Sequence, residues 1–217
     1  LDAVIASGAH GTPTEIVRLD PASGTVTELT ANWDLVPETL EMSADGELRF
    51  LAVSAGERQL FAVSVDGGPV RAVTSGRRWI GEVSQDAAGE RMALLSETSA
   101  RPPEVFIAGA SGTGEIRISH ANDVLTADAA LATARTFRYE SVDGTGLQGW
   151  LMLPPGYRAG DGALPLILSI HGGPHGAYGE RFNFQFQLWA NEGHAVLYTN
   201  PRASIGYGEA FRGATWG

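Results

Sequence analysis

Two continuous apolar runs in the second half of the chain predict buried, parallel strands. They are Leu164–Ile170 (LPLILSI) and His194–Asn200 (HAVLYTN), and we expect both to be buried on both faces of a sheet. Parallel strands need a crossover connection, and the segment between the runs is long enough for a helix. We expect that helix at Phe184–Asn191, because Gly193 supplies a C-terminal stop. Residues 181–188 also alternate as a strand would, so the helix prediction depends on these two arguments.

A hairpin is predicted immediately upstream. Thr136–Val142 and Leu147–Leu153 have strand-like patterns and flank the sequence Asp143-Gly144-Thr145-Gly146. An Asp-Gly pair between two strand patterns is a strong short-range hairpin signal.

The first half of the chain repeats a strand pattern. Ser43 and Ser84 each begin a Ser, Asp, Gly turn and lie 41 residues apart. Apolar segments that start at Glu15, Gln59 and Glu104 follow one another at 44 and 45 residues. Short strands at a period of about 40–45 residues are typical of β-propeller blades. We count two full blades and the later strands of a third, with a plain antiparallel sandwich as the alternative.

The charge distribution changes near residue 130. Residues 1–130 carry 19 acidic and 9 basic side chains, whereas residues 131–217 carry 6 of each. A polar, alanine-rich connector at Asn122–Ala134 falls at the same place. This asymmetry predicts a domain boundary near residue 130.

Composition excludes several classes of function. A net charge of −10 argues against nucleic-acid binding, and the absence of cysteine excludes disulfides, thiolate metal sites and cysteine nucleophiles from this chain. No apolar run reaches the roughly 18 residues of a membrane span. His171 and His175 are four residues apart, but the glycines and proline between them argue against a helical zinc site. We expect a cytoplasmic protein without metal or organic cofactor.

The residues with the clearest chemistry follow the first apolar run, at His171-Gly172-Gly173-Pro174. Ligands of α/β sheets bind beyond the carboxyl ends of the strands, and an HGG-type turn there can point a backbone N–H at a developing oxyanion. The chain contains no G-x-S-x-G nucleophile elbow. Ser204 fails that pattern because Arg202 stands two residues before it. We therefore interpret the chain as part of a serine hydrolase without its nucleophile.

Two motifs carry a family resemblance. His171–Gly179 (HGGPHGAYG) and Asn200–Phe211 (NPRASIGYGEAF) resemble the prolyl oligopeptidase family of serine peptidases, above all its acylaminoacyl-peptidase-like branch. That resemblance implies C-terminal blades of a β-propeller at 1–130 and the N-terminal part of an α/β-hydrolase domain at 131–217. It also implies that the catalytic Ser, Asp and His lie downstream. The family usually has glycine where this chain has Ala203, which adds strain if the position needs a positive φ.

Five residues have candidate roles in the site, and the resemblance assigns those of the two glycines. It implies that the backbone N–H groups of the glycine pair, Gly172 and above all Gly173, form half of an oxyanion hole. Arg202, His171 and Tyr207 are candidate substrate-binding residues. A structural ion pair for Arg202, core packing for Tyr207 and a hydrogen bond that fixes the turn for His171 are the alternatives.

These observations together predict part of a serine peptidase that hydrolyses short peptides, N-acylated ones among them, through an acyl-enzyme. The expected partners are short peptide substrates and the remaining part of the same protein, which carries the triad. A homo-oligomer is compatible with the sequence, whereas nucleic acid and membrane are not expected. One alternative is an esterase of the same fold, and the other is a noncatalytic binding protein built from a propeller and a hydrolase domain.

Overall fold

The structure is a computed structural model that describes residues 2–7 and 14–215. Its first sheet is antiparallel and joins three strands in chain order: β1 (Asp2–Ser7), β2 (Thr14–Leu19) and β3 (Val26–Glu28). The predicted apolar segment that starts at Glu15 forms β2, and the short strand expected after it is β3. Both predictions are confirmed.

The two complete repeats form two four-stranded antiparallel units. The first unit contains β4 (Pro37–Met42), β5 (Glu47–Ser54), β6 (Glu57–Ser64) and β7 (Arg71–Ala72). The second contains β8 (Trp79–Gln85), β9 (Arg91–Thr98), β10 (Arg101–Gly109) and β11 (Ile116–Arg117). A parallel bridge between Arg58 and Trp79 connects β6 to β8. The sequence repeat is therefore a repeat of strand order.

The first four-stranded unit is packed on both faces. Leu48 and Phe50 of β5 belong to an apolar cluster shared with Ile16 of the first sheet. Leu51, the next residue along β5, belongs to a second cluster that contains Met92 of the other unit. Because successive side chains of a strand point to opposite faces, this strand needs apolar residues at consecutive positions.

A mixed sheet and a helix follow the connector, which holds the short helix α1 (Asp123–Asp128). The sheet order is β12-β13-β15-β14, with β14 and β15 parallel and the other pairs antiparallel. The remaining elements are β12 (Ala134–Glu140), β13 (Gly146–Met152), β14 (Leu166–Ser169), α2 (Phe184–Asn191), β15 (Ala195–Asn200), α3 (Glu209–Arg212) and a 3-10 turn (Gly213–Thr215). The predicted hairpin, parallel pair and crossover helix are all confirmed.

Helix α2 begins where local chemistry favours it. The Asn183 side chain caps the helix by accepting a hydrogen bond from the Phe186 amide at 3.1 Å. Phe186 and Ala190 then pack against Trp150 and Tyr198 of the sheet. The alternating aromatic pattern that also fitted a strand therefore lies on a helix, of which one side is buried.

The prediction that the first apolar run is buried on both faces is wrong for the described residues. Leu166 and Leu168 of β14 are 58% and 54% exposed, and Ile170 just after the strand is 72% exposed. β14 lies at the edge of the sheet, and no residue of the described ranges covers this face. The second apolar run fits the prediction of burial better, because Ala195, Val196 and Tyr198 of β15 are buried.

The turn between β5 and β6 contacts the mixed sheet's loops. The Ala55 amide donates to the Gly206 carbonyl at 2.9 Å, and the Gly56 carbonyl accepts from the Glu180 amide at 2.8 Å. Gly56 has φ +80°, and a Cβ there would lie 2.2 Å from Cζ2 of Trp150. Only glycine fits this contact, because both the backbone conformation and the space exclude a side chain.

Candidate active site

The glycine turn follows β14 directly and needs glycine at its second position. Gly173 has φ +154°, and a Cβ there would lie 2.6 Å from the His175 amide nitrogen and 2.8 Å from that of Gly176. Gly172, in contrast, has no atom within 4 Å of a Cβ. The turn therefore depends on Gly173 for its backbone path.

The amides of the glycine pair are available as donors. Gly172 and Gly173 are both exposed, and neither amide donates a hydrogen bond to any residue within 14–215. A backbone N–H that is held in place and has no protein acceptor is the kind of group that stabilises an oxyanion. The turn lies at the carboxyl end of β14, where ligands of such sheets bind.

His171 is turned towards the protein. Its Nδ1 lies 2.9 Å from the Gly172 carbonyl oxygen, and its Nε2 lies 2.9 Å from Oγ of Ser204. The ring of Tyr178 packs edge-on against it at a centroid distance of 5.3 Å. These contacts place His171 as a group that supports the turn.

A second loop, after β15, meets the glycine turn. Residues Pro201–Ser204 form a β-turn in which the Ser204 amide donates to the Pro201 carbonyl at 3.1 Å. Ala203, the third residue, has φ +80°, which is the arrangement of a type II turn. His175 connects the two loops, because its Nδ1 lies 3.0 Å from the Ala203 carbonyl oxygen.

Asn200 also holds the two loops together and was missed by sequence reasoning. It is fully buried at the end of β15. Its Oδ1 accepts from the Tyr178 amide at 2.7 Å, and its Nδ2 donates to the Tyr178 carbonyl at 2.9 Å. A polar residue that ends an apolar strand, within a recognised motif, was the available signal.

An aromatic cavity of about 550 Å³ opens beside Tyr178. Phe182, Phe184 and Phe186 line it together with the Arg181 side chain. The Ser169 hydroxyl at the end of β14 lies 2.8 Å from the Tyr178 hydroxyl, and the Tyr178 ring packs against His171. Tyr178 therefore lines the cavity and also contacts residues that precede the glycine pair.

No protein-family model matches the chain. The uncharacterized peptidase YuxL of Bacillus subtilis is 32% identical over 167 residues, which are 77% of this chain and 25% of that protein. A probable dipeptidyl-peptidase 5 of Aspergillus niger is 29% identical over 199 residues, 87% of this chain and 26% of its own length. The chain thus spans about a quarter of the length of these curated relatives.

Solved structures agree with the sequence relatives. An acylaminoacyl peptidase in complex with Z-Gly-Gly-Phe-chloromethyl ketone superposes with a TM-score of 0.78 at 29% identity, over 92% of this chain and 30% of that one. A prolyl endopeptidase, at 17% identity and a TM-score of 0.71, shares the fold. The chain belongs to the prolyl oligopeptidase family.

Within the prolyl oligopeptidase family motif, the departure at Ala203 has a structural meaning. The third position of a type II turn requires a positive φ, which glycine adopts freely and alanine adopts at a cost. Ala203 is fully buried at φ +80°. The strain expected from the sequence is therefore present in this family member.

Arg202 and Tyr207, the other candidate substrate-binding residues, both have protein partners. Arg202 forms an ion pair with Asp143 in the β12–β13 turn. The Tyr207 hydroxyl donates to Oε1 of Gln148 at 2.7 Å and accepts from Nδ2 of Asn200 at 2.8 Å. Burial raises the pKa of Tyr207 to about 12. Their roles in substrate binding stay predictions.

Glu180 joins the mixed sheet to the repeat units and was also missed. Its buried Oε1 accepts from Arg77 Nη2 at 2.7 Å, from Trp150 Nε1 at 3.1 Å and from the Thr136 hydroxyl at 3.1 Å. The hydrogen bond to Glu180 raises the pKa of Arg77. A lone glutamate after a glycine-rich turn carries no sequence signal for such contacts.

Within the described ranges, no group of three His, Cys, Asp or Glu side chains is placed to hold a metal ion. No helix of those ranges has the length and apolar character that crossing a membrane requires.

Proposed function

We propose that the chain is part of a serine peptidase that hydrolyses short peptides through an acyl-enzyme. In this proposal the Gly173 N–H, with Gly172 beside it, forms half of an oxyanion hole. The nucleophile, its base and its acid come from the rest of the protein. The observation that carries the proposal is the pair of exposed amides without a protein acceptor, at the carboxyl end of β14. Donors fixed in advance stabilise the tetrahedral intermediate without reorganisation.

We further propose that residues 1–130 are C-terminal blades of a β-propeller and that residues 131–217 begin an α/β-hydrolase domain. Two successive four-stranded antiparallel units, which pack face to face, support the first part. A parallel strand pair with a crossover helix supports the second. The contact of the β5–β6 turn with Gly206 and Glu180 supports a position of the proposed blades against the loops of the candidate site.

Short peptide substrates are supported by two observations. Relatives carry the names of a dipeptidyl-peptidase and an acylaminoacyl peptidase. The aromatic cavity of about 550 Å³ beside Tyr178 has room for one apolar side chain or acyl group. In this proposal the blades act as a lid that limits the size of the substrate.

The test uses the full-length protein. A fluorophosphonate probe should label one serine, which mass spectrometry then locates. The same preparation is assayed on N-acetyl-alanine p-nitroanilide, on Ala-Ala p-nitroanilide and on p-nitrophenyl butyrate. Labelling together with anilide hydrolysis supports the peptidase. Labelling with ester hydrolysis alone would replace it by the esterase, and no labelling would replace it by the noncatalytic binding protein.

A further inference from the structure

We infer that Ser204 is a positioning residue, which selects the tautomer of His171 and thereby fixes the peptide unit that carries the Gly173 N–H. This inference rests on the proposed function, because the Gly173 N–H is the proposed oxyanion donor. Ser204 itself does not touch the substrate in this account.

The tautomer of His171 follows from its two contacts. Nδ1 lies 2.9 Å from the Gly172 carbonyl oxygen, which can only accept. Nδ1 must therefore carry the proton, and in a neutral imidazole Nε2 is then an acceptor. The group within reach of Nε2 is Oγ of Ser204, at 2.9 Å. The hydroxyl must donate to the ring.

The hydroxyl has a competing acceptor, since the Pro201 carbonyl oxygen lies 2.7 Å from Oγ. That carbonyl already accepts the Ser204 amide at 3.1 Å and does not need the hydroxyl proton. The Gly172 carbonyl, in contrast, has no donor within residues 14–215 other than His171. For a neutral imidazole, the arrangement that leaves no acceptor unpaired is therefore the one in which Ser204 donates to Nε2.

The tautomer of His171 affects the Gly173 N–H through the peptide bond between Gly172 and Gly173. The Gly172 carbonyl and the Gly173 N–H belong to the same planar unit and point in opposite directions. A hydrogen bond that holds the carbonyl thus fixes the direction of the N–H. Ser204 is fully buried, whereas His171 is half-buried.

Ser204→Ala removes the donor to Nε2, so that the Gly172 carbonyl alone favours the Nδ1–H tautomer. The other tautomer, in which the Nδ1 lone pair faces the Gly172 carbonyl, then becomes accessible. The peptide unit loses its anchor, and we expect kcat to fall by about 10- to 100-fold with KM unchanged. That loss is smaller than the loss of an oxyanion donor itself, because the N–H is misdirected and not deleted.

The experiment combines kinetics with imidazole ¹⁵N NMR on the full-length protein labelled at histidine. Ser96→Ala is the matched control, because Ser96 is also fully buried and lies on β9, in the second four-stranded unit. The NMR spectrum of the unaltered protein should show His171 protonated at Nδ1. In Ser204→Ala the Nδ1 resonance should move into the unprotonated range and kcat should fall, whereas Ser96→Ala should change neither.

Three results would overturn the inference. They are protonation of His171 at Nε2 in the unaltered protein, an unchanged kcat in Ser204→Ala, and a lower kcat with Nδ1 still protonated. Failure of the proposed function is a separate result, namely an unaltered protein that neither hydrolyses peptides nor takes the fluorophosphonate label. The tautomer is still measured in that case, and it supports or overturns the hydrogen-bond assignment by itself.

Discussion

Glu180→Ala removes a buried carboxylate on which the two parts of the chain converge. One carboxylate oxygen accepts from the Trp150 indole at 3.1 Å, the Thr136 hydroxyl at 3.1 Å and Arg77 at 2.7 Å. Trp150 is fully buried, whereas the Arg77 side chain is 57% exposed. The three donors therefore respond differently when the carboxylate is lost.

The magnitude follows from these exposures. An indole N–H left unpaired in the interior costs about 1–3 kcal/mol. The ion pair with Arg77 is screened by solvent, so its loss adds about 0.2–1 kcal/mol. The exposed Thr136 hydroxyl can bind water and adds little. We expect Glu180→Ala to lower the free energy of unfolding by about 1–4 kcal/mol in total. Glu180→Gln keeps an acceptor for the indole N–H but removes the ion pair with Arg77, so it should lower the free energy of unfolding by about 1 kcal/mol.

The assay is urea denaturation of the full-length protein, followed by tryptophan fluorescence. Glu140→Ala is the matched control, because Glu140 is exposed at the end of β12 and should change stability by less than about 0.5 kcal/mol. If Glu180→Ala is no more destabilising than Glu140→Ala, the carboxylate does not hold the two parts together and the reasoning is refuted.

Three further predictions concern single sites. Burial raises the pKa of Glu104, but hydrogen bonds led by that of the Ser119 hydroxyl lower it to about 2. The stability that this ionised carboxylate contributes is therefore present above pH 4.5 and is lost as pH falls towards 2. Because Glu104→Gln removes the titrating group, the free energy of unfolding of this variant should depend less on pH in the acid range. In denaturant titrations, Gly56→Ala should lower the free energy of unfolding by more than about 2 kcal/mol. The control Gly46→Ala, where φ is +83° and no atom lies near a Cβ, should lower it by about 1 kcal/mol. Equal losses in the two variants would contradict the close contact at Gly56. The free energy of unfolding of Ala203→Gly should lie within about 1 kcal/mol of that of the unaltered protein. Relief of backbone strain offsets the lost burial of a methyl group and the greater entropy of the unfolded chain. Ala203→Val should lower the free energy of unfolding by more than about 2 kcal/mol. A valine variant as stable as the unaltered protein would exclude the type II turn.

The second half of the fold was predictable because its signals are local. The helix at Phe184–Asn191 has the predicted bounds, since a capping residue precedes it and Gly193 follows it. The exposure of Leu166 and Leu168 was not predicted. An apolar run indicates which positions avoid water, but it does not say which part of the protein covers them.

The site was predictable in part for the same reason. The location of Gly173 shortly after β14 was predictable, because the glycine pair follows the apolar run in the sequence. The contact of His171 with Ser204 joins residues 33 apart, that of Arg202 with Asp143 joins residues 59 apart, and that of Glu180 with the first half spans 103 residues. Such contacts depend on sheet register and on how the two parts pack, and neither is encoded in a local pattern.

The measurement that tests the central claim most directly is kcat of Gly173→Ala in the full-length protein, on a peptide that the unaltered protein cleaves. The added Cβ would lie 2.6 Å from the His175 nitrogen, so the turn must shift and the donor must move. Gly146→Ala is the control, because its Cβ meets no atom within 4 Å and it lies away from the turn. We predict a loss of about 10²- to 10³-fold in kcat for Gly173→Ala, with KM retained and Gly146→Ala unchanged. A kcat within about twofold of the unaltered protein would contradict the assignment of this turn to the oxyanion hole.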